Sequence, residues 1–106
     1  MERMQYNDFA AKRDADGLRV IDVREQDEWD EVRVRDAELF PLSKLRGGEL
    51  PEDDGRRVAL ICRSGGRSAM AAQMLEANGF SDVINVEGGT LAALAAGVEA
   101  DLVRGS

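Results

Sequence analysis

The sequence predicts an α/β fold with a mainly parallel sheet and helices on both faces. Three observations predict it. Short β-branched runs, Leu18–Val23, Val58–Ile61 and Asp82–Val86, alternate with segments of helical composition. Leu18–Val23 is so densely apolar that it reads as a strand covered on both faces, as in parallel sheets. Right-handed crossovers between parallel strands then place helices on both sides of the sheet.

Taken in order, Met4–Arg13 begins polar, and Asn7 or Asp8 supplies a cap for a short helix carrying Phe9 and Ala10. The Asp16-Gly17 turn leads into the Leu18–Val23 strand, which ends in the charged sequence Arg24-Glu25-Gln26-Asp27-Glu28. Asp27–Val32 reads as a short helix anchored by Trp29, a core or rim aromatic in preference to a partner hot spot. Ala37–Phe40 reads as a short strand stopped by Pro41. Ser43 is the expected N-cap of a helical turn containing Leu45, and Arg46–Gly55 is a turn-rich surface connection. The strand Val58–Ile61 ends at Cys62, followed by the loop Arg63–Arg67 and a helix over Ser68–Asn78. Asn78-Gly79-Phe80 has the pattern of a Schellman C-cap. After the strand Asp82–Val86, the sequence Glu87-Gly88-Gly89-Thr90 enters a helix over Leu91–Ala96, closed by Gly97. Residues 98–106 read as a polar tail in which Leu102 and Val103 are the packing residues.

Composition narrows the chemistry. The 106 residues are expected to form one domain, 1–106, large enough for its own core. A net charge of −7 argues against nucleic acid as a partner, and no apolar run approaches the roughly 20 residues of a membrane span. The acidic, polar N-terminus is unlike a signal peptide, so the expectation is a cytoplasmic protein with no membrane association. One cysteine cannot form an internal disulfide, and the absence of histidine removes the usual Cys/His metal sites and histidine acid–base catalysis. No metal and no other cofactor is expected. The thiol, carboxylates, arginines, hydroxyls and backbone amides remain.

Cys62 stands where a strand stops and a loop begins. A lone cysteine there is commonly a small core hydrophobe. The loop that follows favours another role: Arg63, Ser64, Gly65, Gly66, Arg67 and Ser68 combine two guanidinium groups, two flexible glycines and two hydroxyls. A thiol of pKa about 8.5 is only a few per cent thiolate at neutral pH, and the thiolate is the nucleophile. Converging loop amides, the positive end of the following helix and the two arginines all favour the anion. The same groups suit an anionic substrate.

The run Cys62-Arg63-Ser64-Gly65-Gly66-Arg67-Ser68 resembles the active-site loop of the rhodanese family of sulfurtransferases. Val20-Ile21-Asp22-Val23-Arg24-Glu25 resembles the family's second-strand signature, and Phe40-Pro41-Leu42-Ser43 its strand-three exit. Asn78-Gly79-Phe80 with Val86-Glu87-Gly88-Gly89 resembles its C-terminal signature. These blocks follow the family's order from about Met4 to Gly97. The resemblance implies a three-layer α/β/α fold around a sheet of about five strands, and catalysis through a cysteine persulfide. Cys62 is then nucleophile and sulfur carrier, the amides of Arg63–Ser68 cradle the persulfide, and Arg63 and Arg67 contact an anionic donor such as thiosulfate. Asp22 and Arg24 either support the loop from the neighbouring strand end or, for Asp22, cap a turn. The implied acceptors are cyanide, a small thiol such as glutathione, a thioredoxin-like protein or another partner.

Two positions depart from the family pattern. Its glycine-histidine block here reads Glu31-Val32-Arg33-Val34-Arg35-Asp36-Ala37, and its tryptophan is replaced at about Ala93. Both are framework or rim positions in the family, so their loss bears on acceptor choice and rim shape more than on catalysis. Two rival functions share the residues. Phosphatases related to the family have a loop one residue longer, with arginine six positions after cysteine; here Arg67 comes five after Cys62, which favours a single sulfur atom over phosphate. A persulfide carrier serving a partner protein would need the same thiol.

Overall fold

A computed structural model of the protein describes residues 1–105. In chain order its elements are β1 (Glu2–Gln5), α1 (Tyr6–Lys12), β2 (Arg19–Asp22), α2 (Gln26–Glu31), β3 (Val32–Val34) and β4 (Glu38–Leu39). There follow α3 (Leu42–Arg46), β5 (Val58–Ile61), α4 (Gly66–Ala77), β6 (Ile84–Glu87), α5 (Gly89–Ala96) and β7 (Leu102–Arg104). Five strands form the main sheet in the order β1-β6-β5-β2-β4, every pair parallel. The strand ends Asp22, Ile61 and Glu87 therefore share one edge, with β5 in the middle.

Period-2 alternation along β5 divides the core. Val58 and Leu60 pack with Leu42, Leu45, Ala72 and Leu75 under α3 and α4. Ala59 and Ile61 pack with Phe9, Val34, Ile84 and Ala93 under α1 and α5. All four β5 residues are at most 2% exposed, so the strand has no polar face and its sequence shows no alternation. The α/β/α layering and the five-stranded parallel sheet are as the sequence predicts. Among the described residues no helix is long and apolar enough to cross a membrane.

The structure corrects several local expectations. Glu2–Gln5 is an edge strand, paired with β6 from Glu2↔Ile84 to Gln5↔Glu87; only Met4 in it is buried, so composition hides it. Helix α1 starts directly from that strand after an extended Gln5 with no side-chain cap, and neither Asn7 nor Asp8 caps it. Pro41, not Ser43, precedes α3, and the Ser43 hydroxyl donates instead to Glu25. Helix α2 is held by a capping box between Glu25 and Glu28, buries no residue and leaves Trp29 half-buried. The C-cap of α4 does form as expected: the Phe80 amide reaches the Leu75 carbonyl at 3.1 Å and the Gly79 amide the Glu76 carbonyl at 3.2 Å. In the expected polar tail, Leu102–Arg104 forms β7, antiparallel to β3 in a separate two-stranded ribbon; Ser106 lies outside the described residues. Half-buried Leu102 packs against the α1/α5 core cluster, whereas Val103 is exposed.

The two departures from the family pattern acquire definite places. Arg33, where the histidine block would be, stacks over Trp29 at 4.7 Å and donates to the Gly105 carbonyl at 2.7 Å, tying α2 to the ribbon. Ala93 is 2% exposed and belongs to the core, so the missing tryptophan is a packing change and not a rim change.

Candidate active site

Cys62 follows the last residue of the middle strand and is 1% exposed. The chain must turn back within three residues for an amide to reach its sulfur. Gly65 makes that turn with φ 115°, a conformation unfavourable for any residue with a Cβ, and its amide donates to Cys62 Sγ at 3.1 Å. Gly65 is also the N-cap of α4, which therefore starts at Gly66, two residues earlier than the sequence suggests. The Ser68 hydroxyl stands 3.3 Å from the same sulfur.

Burial pushes the Cys62 thiol up, but hydrogen bonds from the Ser68 hydroxyl and from the amides of Ser68, Gly65 and Ser64 outweigh it and hold the pKa below the ordinary thiol value. The cradle thus favours the thiolate with neutral donors at the N-terminus of a 12-residue helix.

A second helix start fixes the loop from the other side. The Thr90 amide and hydroxyl donate to the Cys62 carbonyl at 2.9 and 3.2 Å, and the Leu91 amide donates to the Arg63 carbonyl at 3.0 Å. This approach is so close that a Cβ on Gly89 would lie 2.3 Å from the Cys62 carbonyl oxygen and 2.7 Å from that of Arg63.

The two loop arginines have different surroundings. Arg67 is half-buried and forms a two-pronged ion pair with Glu28 of α2, at 2.6 and 2.8 Å, which holds the Glu28 carboxyl down at about 2. Arg63 is exposed and meets no carboxylate among the described residues. Beside it opens a cleft of about 270 Å³ lined by Arg24, Glu28, Val32, Arg63, Thr90 and Leu91, among others. Ser64 and Gly66 are exposed on the loop, whereas Gly65 and Ser68 are buried.

Asp22 and Arg24 form a buried pair at the end of β2. Asp22 is 0% and Arg24 3% exposed, and the Arg24 guanidinium reaches Asp22 Oδ2 at 2.8 Å and the Val32 carbonyl at 2.7 Å. Asp22 Oδ1 also accepts the Arg24 amide at 3.0 Å, so Asp22 both caps its own turn and supports the arginine that reaches the cleft. The structure accordingly brings Cys62, Arg63–Ser68, Asp22 and Arg24 to one edge of the sheet.

Four residues at this edge escape sequence reasoning: Glu28, Asn85, Gly89 and Thr90. Asn85 carried a signal, being the one polar residue inside Val83–Val86. Gly89 and Thr90 stood in the Glu87-Gly88-Gly89-Thr90 turn signal, but nothing in the sequence shows that α5 starts against the Cys62 carbonyl or that Glu28 meets Arg67. No group of three or more His, Cys, Asp or Glu side chains arranged to hold a metal occurs among the described residues.

Comparison with known proteins yields a consistent set. The family model described as a rhodanese-like domain matches residues 5–96. A sulfurtransferase of Allochromatium vinosum is 35% identical over 81 residues, spanning 74% of this chain and 74% of that protein. A Bacillus subtilis protein provisionally named the sulfur carrier YrkF is 40% identical over 81 residues, 74% of this chain and 43% of that protein. The crystal structure of a rhodanese-related protein from Thermoplasma volcanium superposes with a TM-score of 0.78 at 30% identity, covering 92% of this chain and 94% of that one. The chain spans 48% and 20% of the lengths of two further curated relatives, so it corresponds to part of longer proteins as well as to short ones.

Proposed function

Because the chain belongs to the rhodanese-like family, we propose that it is a sulfurtransferase of the thiosulfate type, carrying sulfane sulfur as a persulfide on Cys62. The observation that carries this reading is the sulfur of Cys62 held at 3.1 Å by the Gly65 amide and at 3.3 Å by the Ser68 hydroxyl, with its pKa drawn down.

In the first half-reaction the Cys62 thiolate attacks the outer sulfur of thiosulfate. A new sulfur–sulfur bond forms, the old one breaks, and sulfite leaves with the bonding pair. In the second, a thiophilic acceptor attacks the outer persulfide sulfur and Cys62 departs as thiolate; with cyanide the product is thiocyanate. The sulfur moves as a neutral atom in each step, the nucleophile supplying the pair of the new bond and the leaving group keeping the pair of the old one, so the transfer needs no outside oxidant or reductant. The cradle amides stabilise the thiolate both as attacking and as leaving group. Arg63, which meets no carboxylate among the described residues, takes the anionic donor in the cleft beside Arg24. Arg67 neutralises Glu28, which would otherwise repel that donor. Since Cys62 is the protein's one cysteine, release requires an outside acceptor: cyanide, a small thiol or a thioredoxin-like protein in the reducing cytoplasm.

The carrier reading differs only in the acceptor, and it is favoured by the provisional name of the Bacillus relative. The deciding assay is steady-state conversion of thiosulfate and cyanide to thiocyanate. Turnover that disappears in Cys62→Ser is the expected result. Turnover slow with cyanide yet fast with a protein acceptor would shift the assignment to a carrier. Hydrolysis of an aryl phosphate through Cys62, with no thiocyanate formed, would overturn both.

A further inference from the structure

Asn85 is 1% exposed in β6, and the sulfur-transfer steps above make no use of it. Its amide touches two parts of the cradle: Oδ1 lies 2.5 Å from Ser68 Oγ, and Nδ2 donates to the Gly65 carbonyl at 3.2 Å. The second contact sets the orientation of the amide, because turning it over would oppose two acceptors, Oδ1 and the Gly65 carbonyl.

The Ser68 hydroxyl consequently faces three acceptors with one proton to give. They are Asn85 Oδ1 at 2.5 Å, the Gly65 carbonyl at 3.2 Å and Cys62 Sγ at 3.3 Å. The nearest takes it. While Cys62 is a thiol, Ser68 donates to Asn85 and turns a lone pair toward the sulfur, where it accepts the thiol hydrogen. Once the sulfur is an anion it becomes the stronger acceptor, the hydroxyl turns to it, and the buried Asn85 oxygen loses its donor.

We propose that Asn85 is a positioning residue that competes with Cys62 for the Ser68 hydroxyl proton and so keeps the thiol from ionising as readily as its cradle alone would allow. The consequence is chemical balance. A sulfur nucleophile weakens as its pKa falls, and the best attacking thiol ionises near the ambient pH. Four neutral donors pull Cys62 toward the thiolate, and Asn85 limits that pull. The inference rests on Cys62 being the nucleophile, but its test reads the thiol itself and not sulfur transfer, so either can fail without the other.

The charged groups around the thiol are Arg67 on α4, paired with Glu28 on α2; Arg24, paired with Asp22 at the end of β2; Glu87 beside Gly65 at the end of β6; and Arg63 on the loop. None is altered in the test below. Gly65 also keeps a donor to its carbonyl, the Ala69 amide at 3.1 Å, when Asn85 is replaced.

The test is the pH dependence of iodoacetamide alkylation of Cys62 in the wild type, Asn85→Leu, Ser68→Ala and the double variant. Asn85→Leu is expected to move the midpoint to lower pH, raising the thiolate fraction below the midpoint about three- to tenfold, the worth of one neutral hydrogen bond. Ser68→Ala moves it to higher pH, and in that background Asn85→Leu adds nothing. An Asn85 that merely braces the loop gives the opposite sign, since loosened amides raise the thiol; a midpoint unchanged or raised in Asn85→Leu overturns the inference. Should Asn85→Leu not fold, Asn85→Asp keeps the shape and strengthens the acceptor. Its midpoint rises, and the rise shrinks when Ser68 is alanine; an equal rise in both backgrounds is likewise fatal.

Discussion

Burial raises the Cys62 thiol and four hydrogen bonds lower it, and the second effect wins without any cationic partner in direct contact with the sulfur. That leaves the arginines free for other work. Arg63, which meets no carboxylate among the described residues, is the group best placed to meet an anion, so Arg63→Ala should raise KM for thiosulfate by the equivalent of about 1–3 kcal/mol, the range of a charge-assisted contact. Steady-state kinetics at fixed salt check this, and an unchanged KM removes Arg63 from donor binding. Gly89 is constrained more tightly than any loop residue. A Cβ there collides with backbone carbonyls that cannot swing aside, and φ is +54°. Gly89→Ala should cost about 2–5 kcal/mol, combining a left-handed residue with overpacking, and urea denaturation measures it. The sequence displays Gly88-Gly89 as a turn signal; that the second glycine lies against the Cys62 and Arg63 carbonyls depends on a contact between segments 27 residues apart, which composition does not encode.

Among the elements, α2 is the one whose purpose was least visible. It buries no residue, so no apolar stripe marks it, and its position is fixed by charge: Glu28 to Arg67 of α4 and Arg33 of β3 over Trp29. If Arg67 acts by neutralising Glu28, Arg67→Ala should raise KM for thiosulfate and adding Glu28→Gln should recover most of the loss. A double variant as impaired as Arg67→Ala would instead make Arg67 a direct donor contact. The β2 end behaves differently, because its pair is buried. Asp22→Ala leaves the Arg24 guanidinium without its counter-charge, and thermal or urea unfolding should show about 3–5 kcal/mol lost. A loss below about 1 kcal/mol, the range of a solvated surface pair, would mean that water reaches this site.

At the scale of the molecule, the legible features were those written in consecutive residues: the apolar runs that became β2, β5 and β6, the Schellman end of α4, and the thiol loop itself. Strand β1 and the β3/β7 ribbon were illegible because each gains its strand character from a distant partner. Glu2–Gln5 buries only Met4, and Leu102–Arg104 pairs with Val32–Val34, from Val32↔Arg104 to Val34↔Leu102, far earlier in the chain. The site divided along the same line. Cys62 and Arg63–Ser68 are one continuous sequence, whereas Asn85, Thr90 and Glu28 arrive from three other elements across the carboxyl edge of the sheet. An all-parallel sheet brings such separate strand ends together, and the middle strand carries the thiol into their midst.

The persulfide on Cys62 is tested most directly by the intact mass of the protein before and after thiosulfate, and again after cyanide. A gain of one sulfur on thiosulfate, its complete loss on cyanide, and neither change in Cys62→Ser are the expected results. A wild-type mass that thiosulfate leaves unchanged, with the thiol shown by alkylation to be free and reactive, would contradict sulfur transfer through this cysteine.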